Sequence, residues 1–252
     1  METNNTQNME EKIGHIVNWL KDYKEKSRQK GFVLGLSGGI DSSVVAHLIM
    51  RACPQNSLGV IMPAGNKPQD REDAIAAAKS SRLPYIEVDL TQYRQGLFDE
   101  ITKALLQKGY QSGDTQMVRG NLGARLRMTT LYAVGGHLGY LVVGTDNAAE
   151  SYTGYFTKYG DGGVDILPIS HLTKGEVFAM GRYLGVPEQI LTKAPSAGFF
   201  HEQTDESEMG VSYDDIDAFL RGEPVTENKK AIIEHLHRIS EHKRIMPPAF
   251  KK

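Results

Sequence analysis

Three serines, three glycines and one aspartate are crowded into Leu34-Gly35-Leu36-Ser37-Gly38-Gly39-Ile40-Asp41-Ser42-Ser43. Glycines let a backbone turn sharply and come close to a ligand. Amides at a helix start face outward, and the helix dipole favours an anion there. Ser37, Ser42 and Ser43 add hydroxyl donors, so the stretch reads as a phosphate nest. Asp41 is out of place in such a nest unless a divalent cation bridges carboxylate and phosphate. A P-loop would end in Gly-Lys-Ser/Thr, and no lysine stands near Ser42. The G-x-G-x-x-G dinucleotide fingerprint does not fit Gly35, Gly38 and Gly39 either.

A second cluster, Gly144-Thr145-Asp146-Asn147-Ala148-Ala149-Glu150, offers Glu150 as a partner for Asp41 at a hard cation. Asp146 and Glu150 also suit the first turn of a helix, where acids oppose the dipole. Taken alone, that reading would suffice; beside Asp41, the metal reading of Glu150 prevails. Phe156 to Asp165 sets aromatics, Lys158 and Asp165 among glycines, with aromatics able to stack on a heteroaromatic ring. Arg125 and Arg127 are two apart on an apolar helix and so face different directions. Glu241-His242-Lys243-Arg244 reads by composition as an exposed charge run.

The elements needed to position these groups are visible in apolar spacing. Gly31 to Leu34 reads as a short buried strand, and Leu58 to Met62, Tyr85 to Val88 and Tyr140 to Gly144 read as further strands. Helices are predicted over Ile13 to Tyr23, after the serine-glycine loop, and over Gln69 to Arg82. Others are predicted over Leu97 to Leu106, Leu122 to His137, Lys174 to Leu184, Ser212 to Leu220 and Asn228 to Ser240. The alternation predicts an α/β fold, a single-domain parallel sheet with helices on both faces. Ligands in such sheets bind beyond the carboxyl ends of the strands, which puts the two clusters in one crevice. Ser151 to Asp165 and Pro195 to Met209 lack periodicity and are expected to be loops that close over that crevice.

The chain has 252 residues, 40% hydrophobic and 24% charged, with net charge -2 and pI about 6.5. One domain spanning 1–252 accommodates that length. No basic field invites nucleic acid, and no apolar run reaches membrane-spanning length. The polar N-terminus has no secretion signal pattern. Cys53 is the single cysteine, which excludes an intrachain disulfide and a cysteine-rich zinc site. These features predict a cytoplasmic protein.

The stretch Ser37-Gly38-Gly39-Ile40-Asp41-Ser42 resembles the S-G-G-x-D-S loop of the N-type ATP pyrophosphatases, which cleave ATP between the α and β phosphates. The later blocks narrow the resemblance. Gly144 to Ser151, Phe156 to Gly163, Leu167-Pro168-Ile169-Ser170 with Leu172-Thr173-Lys174, and Glu241 to Arg244 together are similar to NAD synthetases. The resemblance covers about Phe32 to Arg244 and implies the adenine nucleotide alpha hydrolase-like fold. It implies an ATP site at Gly35, Leu36, Ser37, Gly38, Gly39, Ile40, Asp41 and Ser42, with Thr145, Lys174 and Ser196. It implies magnesium at Asp41 and Glu150, and a deamido-NAD site at Arg125, Lys158, Asp165, His242 and Lys243. Asp41, Lys174 and Asp165 are the implied catalytic residues, and a homodimer is the implied assembly.

The implied reaction is the last step of NAD biosynthesis. The nicotinate carboxylate of deamido-NAD attacks the α-phosphorus of ATP, pyrophosphate leaves, and ammonia displaces AMP from the acyl adenylate. Positioning and charge stabilisation carry such chemistry, with no covalent nucleophile on the protein. A non-catalytic nucleotide sensor could dispense with Asp41 or Glu150, and both are present. A tRNA thiolase would need a basic surface and usually further cysteines, and neither is seen. About thirty residues precede the motif strand, too few for a glutamine amidase domain by ordinary domain sizes. Free ammonia is therefore the expected nitrogen donor.

Overall fold

β1 (Gly31–Leu36), β2 (Ser57–Ile61), β3 (Tyr85–Glu87) and β4 (Tyr140–Val143) form one parallel sheet in the order β3-β2-β1-β4. The computed structural model describes residues 2–65, 67–111, 113, 115–194 and 204–250. In the register, Leu34 of β1 lies opposite Gly59 of β2 and Val143 of β4. Side chains alternate across a strand, and β1 shows it. Phe32, Leu34 and Leu36 enter one core, while Val33 enters the core on the opposite face with Val60, Leu131 and Val142. A central strand covered on both faces needs this nearly unbroken apolar run.

The first core is closed by α1 (Glu2–Lys26), α2 (Ile40–Ala52), α3 (Pro68–Ser81) and α7 (Lys174–Leu184). Ile13 and Leu20 of α1, Val44 and Leu48 of α2, and Met180 of α7 are fully or nearly fully buried there. α5 (Thr115–Leu138), which follows α4 (Thr91–Gln107), covers the other face. Gly135 of α5 lets that helix lie close: a Cβ there would stand 2.9 Å from the Tyr140 carbonyl oxygen.

The chain winds outward from β1 to β2 and β3 by way of α2 and α3, then returns through α4 and α5 to add β4 on the other side of β1. Strand order therefore reverses between β1 and β4, and a crevice opens beyond their carboxyl ends. A third apolar cluster, on α6 (Ala148–Thr153), α9 (Asp205–Met209), α10 (Tyr213–Leu220) and α11 (Glu227–Ile239), stands beside it.

The elements expected from apolar spacing are present, and their ends move for local reasons. Ser151 to Thr153, expected in a loop, complete α6, because the reciprocal cap between Asn147 and Glu150 starts that helix upstream. Asp205 to Met209, expected to be irregular, form α9 with Thr204 as its cap. Glu241–Arg244 is one turn of helix, α12, and α8 (Glu188–Leu191) is a short helix that spacing did not reveal. The portion of the second expected loop at 195–203, with Ser196, lies outside the described residues.

Candidate active site

α2 begins at Gly39 with no side-chain cap. Its neighbours in the crevice differ: Asn147 caps α6 and Thr173 caps α7, each with a glutamate closing the box. The first amides of α2 are thus left for a ligand, as an anion-binding helix start requires. Around them the hydroxyls are already ordered. Ser37 Oγ lies 3.0 Å from Ser42 Oγ and accepts from the Gly39 amide at 3.2 Å. Gly38 makes the turn at φ +79, and a Cβ there would stand 2.6 Å from the Asp70 carbonyl oxygen. Only glycine satisfies both the dihedral and the packing of α3 against the loop.

Asp41 sits in the first turn of α2 and Glu150 in the first turn of α6. Lys174 begins α7 and joins them. Its Nζ donates to Asp41 Oδ2 at 2.7 Å and to Glu150 Oε1 at 3.2 Å. Asn147, fully buried, caps α6 with its Oδ1 and donates from Nδ2 to Asp41 Oδ1 at 2.9 Å. Glu150 likewise divides its oxygens: Oε2 accepts from the Asn147 amide, and Oε1 faces Lys174 and the Tyr213 hydroxyl. The helix-start reading of Glu150 and its place beside Asp41 are therefore both realised, by different oxygens.

Burial pushes the Glu150 carboxyl up to about 7, with Asp41 adding to the effect and Lys174 opposing it. Burial disfavours the Lys174 ammonium, but Asp41 and Glu150 outweigh it and hold its pKa above the usual lysine range. The Lys174 and Gly175 amides both donate to Asp217, at 3.0 and 2.8 Å, which fixes the start of α7 from α10. Tyr213 donates to Asp205 and also lies under Lys174, with Nζ 4.6 Å from the ring centroid.

These groups line a cavity of about 360 Å³. Gly35, Leu36, Ser37, Gly39, Ile40, Asp41, Ser42, Thr145, Glu150 and Lys174 are in its wall, and Gly38 supports the loop from behind. Ile61, Met62, Leu131 and Val143 give it an apolar side. Its size suits a small organic ligand. Lys193 closes one end, donating to Asp70 at 2.8 Å and Asp73 at 2.7 Å.

The residues expected at a second substrate lie elsewhere. Arg125 is exposed and donates to the Lys158 carbonyl at 3.3 Å, while Lys158 Nζ donates to the His242 carbonyl. Lys243 donates to the Gly154 and Phe156 carbonyls at 2.8 and 2.7 Å. These four form one network where α12 meets the 154–158 turn. Asp165 stands apart: its carboxylate accepts from the Val142 amide at 2.8 Å and the Tyr132 hydroxyl at 2.9 Å. It thereby ties the end of the glycine-rich loop to β4. Arg127, not Arg125, enters the cavity wall, with Nε donating to the Met62 carbonyl at 3.1 Å and burial lowering its pKa to about 10.

Asp41 and Glu150 converge on the Lys174 ammonium, which holds the place between two carboxylates that a hard cation would take. Among the described residues no three acidic, histidine or cysteine side chains group to hold a metal unaided. The donor set fits magnesium completing its shell with phosphate oxygens and water, not a closed all-protein site. Tyr213, Asp205, Asp217 and Lys193 escaped sequence reasoning. The one signal for Tyr213, Asp205 and Asp217 is the pair of capped helix starts at Thr204 and Ser212, and Lys193 had none.

Known proteins resemble this chain along nearly its whole length. A profile of the NAD synthase family matches residues 12–247. The NH(3)-dependent NAD(+) synthetase of Alkaliphilus oremlandii (strain OhILAs) is 51% identical over 98% of this chain and 99% of its own length. Among solved structures, NMN synthetase from Francisella tularensis matches with TM-score 0.89 and 39% identity, covering 97% of this chain and 99% of that one. NAD+ synthetase from Burkholderia pseudomallei matches with TM-score 0.78 and 31% identity, covering 95% and 91%. The family match spans β1 to α12, so every group placed in the crevice above falls within it, and the chain belongs to the NAD synthase family.

Proposed function

We propose that this chain amidates deamido-NAD with ammonia and ATP, yielding NAD, AMP and pyrophosphate. The observation that carries the reading is the convergence of Asp41, Glu150 and Lys174 beside the uncapped start of α2, in a chain of this family. ATP is bound with its β and γ phosphates on the amides and hydroxyls of Ser37 to Ser42. Lys174 keeps the two carboxylates in register and brings positive charge to the phosphates. A magnesium ion held by Asp41 and Glu150 would supply charge against the leaving pyrophosphate.

The nicotinate carboxylate attacks the α-phosphorus, and the phosphorus–oxygen bond to pyrophosphate breaks. Ammonia then attacks the acyl carbon and AMP departs. The protein's part is to align the reactants and exclude water. Arg125, Lys158, His242 and Lys243, with Asp165 anchoring the adjoining loop, are assigned to the deamido-NAD end. Ser196 is assigned to ATP.

We assign the chain to a homodimer through α4 and α5. Leu97, Ile101 and Leu105 form one stripe on α4, each 44% exposed, and Met117 and Val118 of α5 are also exposed. No helix among the described residues is long and apolar enough to cross a membrane. A cytoplasmic setting and a single functional unit over 1–252 complete the proposal.

One observation favours a second reading. The similarity to an NMN synthetase is higher than that to the Burkholderia NAD+ synthetase. Nicotinate mononucleotide carries the same carboxylate without the adenylyl half. Comparing kcat/KM for the dinucleotide and the mononucleotide, with ammonium as donor and glutamine as control, tests both. Preference for deamido-NAD supports the first reading; preference for the mononucleotide supports the second. Comparable turnover with glutamine alone would contradict the ammonia assignment.

A further inference from the structure

Asp146 follows Thr145 at the carboxyl end of β4 and lines the main cavity. It is only 5% exposed, its carboxylate opens onto that cavity, and burial and neighbouring carboxylates, with no hydrogen bond among the described residues, set its charge state. A buried carboxylate without donors is unfavourable unless a ligand provides them. The cations nearby are occupied, since Lys174 serves Asp41 and Glu150. Asp161 lines the same cavity and uses Oδ1 to accept from the Thr157 amide at 2.9 Å. Lys243 and Arg127 act on Asp161 through space, and no cation is named among the charges that act on Asp146. The two carboxylates repel one another, with Glu150 and Asp41 adding to the strain on Asp146.

A group that relieves this must be cationic, small and rich in N–H donors. The position also suits the chemistry. Asp146 is one strand away from the phosphate loop, and Asp161 belongs to the same loop as Lys158.

We propose that Asp146 is the docking carboxylate for the ammonium ion, a deepening that rests on the amidation reading above. Ammonium donates N–H to Asp146 and passes one proton to it. The freed nitrogen lone pair forms the bond to the acyl carbon of the adenylate, and the bond from that carbon to the AMP oxygen breaks with its electron pair on AMP. The nitrogen sheds its second proton to solvent, leaving the amide.

The test uses Asp146→Asn in the full chain with three readouts. These are deamido-NAD-dependent ATP–pyrophosphate exchange, the KM for ammonium, and AMP release with hydroxylamine, a nucleophile neutral near pH 7. Exchange and hydroxylamine turnover should stay within about twofold of the native chain, while the ammonium KM rises by about tenfold or more. An unchanged ammonium KM with normal exchange overturns the assignment of Asp146 alone. Parallel loss of exchange overturns it too, because the carboxylate then serves adenylation or the fold. Absence of exchange in the native chain overturns the amidation reading and this one with it.

Discussion

Lys174 Nζ stands 2.7 Å from Asp41 Oδ2, joining the first turns of α7 and α2 across 133 residues of sequence. The lysine side chain is 4% exposed and also holds Glu150, so its removal leaves two carboxylates facing each other in a buried place. Breaking such a group from one side destabilises by about 3–5 kcal/mol. Lys174→Met is expected to lower the urea midpoint accordingly. A midpoint equal to that of the native chain would show that the ion pair does not hold the crevice together.

Asp41→Ala should behave differently, because Lys174 retains Glu150 and a position in the first turn of α2, at the cavity wall, opens no core cavity. Stability should change little, while magnesium-dependent turnover falls by on the order of 10³-fold, as loss of several kcal/mol of charge stabilisation implies. Near-normal magnesium-dependent activity would remove Asp41 from the metal.

Gly38→Ala meets two obstacles at once, a φ of +79 and the Asp70 carbonyl at 2.6 Å. The expected loss is about 1–3 kcal/mol, with backbone rearrangement of the phosphate nest. ATP–pyrophosphate exchange should fall with it. A Gly38→Ala chain that is as stable and active as the native one would contradict the described loop.

The loop from Ser37 to Asp41 and the stretch from Gly144 to Glu150 were legible in the sequence, because their geometry is set locally by glycines and caps. The same holds for β1, β2 and β4, whose apolar runs are buried, whereas the three residues of β3 are exposed at the sheet edge. What was not legible comes from distance. Tyr213, Asp205 and Asp217 look like ordinary residues around helix starts until α9 and α10 fold over the strand ends. Arg125 and Arg127 could not be assigned by spacing, because only the packing of α5 on the sheet decides which one turns inward. Asp146 resembled a dipole-opposing acid, and its lack of a partner among the described residues is a property of the folded cavity alone.

His47 provides a pH test of the core. It is 9% exposed, with Nε2 3.3 Å from Ser80 Oγ. Burial, with Arg51 adding, lowers its pKa from 6.5 to about 4. The folded state therefore binds its proton later than the unfolded state. Its neutral form supports the fold fully above about pH 6.5, and that support is lost as pH falls toward 4, amounting to up to about 3 kcal/mol. His47→Gln should flatten this part of the stability curve in urea titrations between pH 7 and pH 4. An equally steep fall in the variant would assign the dependence to other groups.

Activation of the substrate carboxylate by adenylation in the crevice between β1 and β4 is the central claim. Its most direct test is to supply deamido-NAD carrying heavy oxygen in the nicotinate carboxylate, with ATP, magnesium and ammonium. The AMP and pyrophosphate are then analysed by mass spectrometry. Attack on the α-phosphorus predicts one heavy oxygen in AMP and none in pyrophosphate, with NAD formed in equal amount. Formation of ADP, or AMP without the label, would contradict the account.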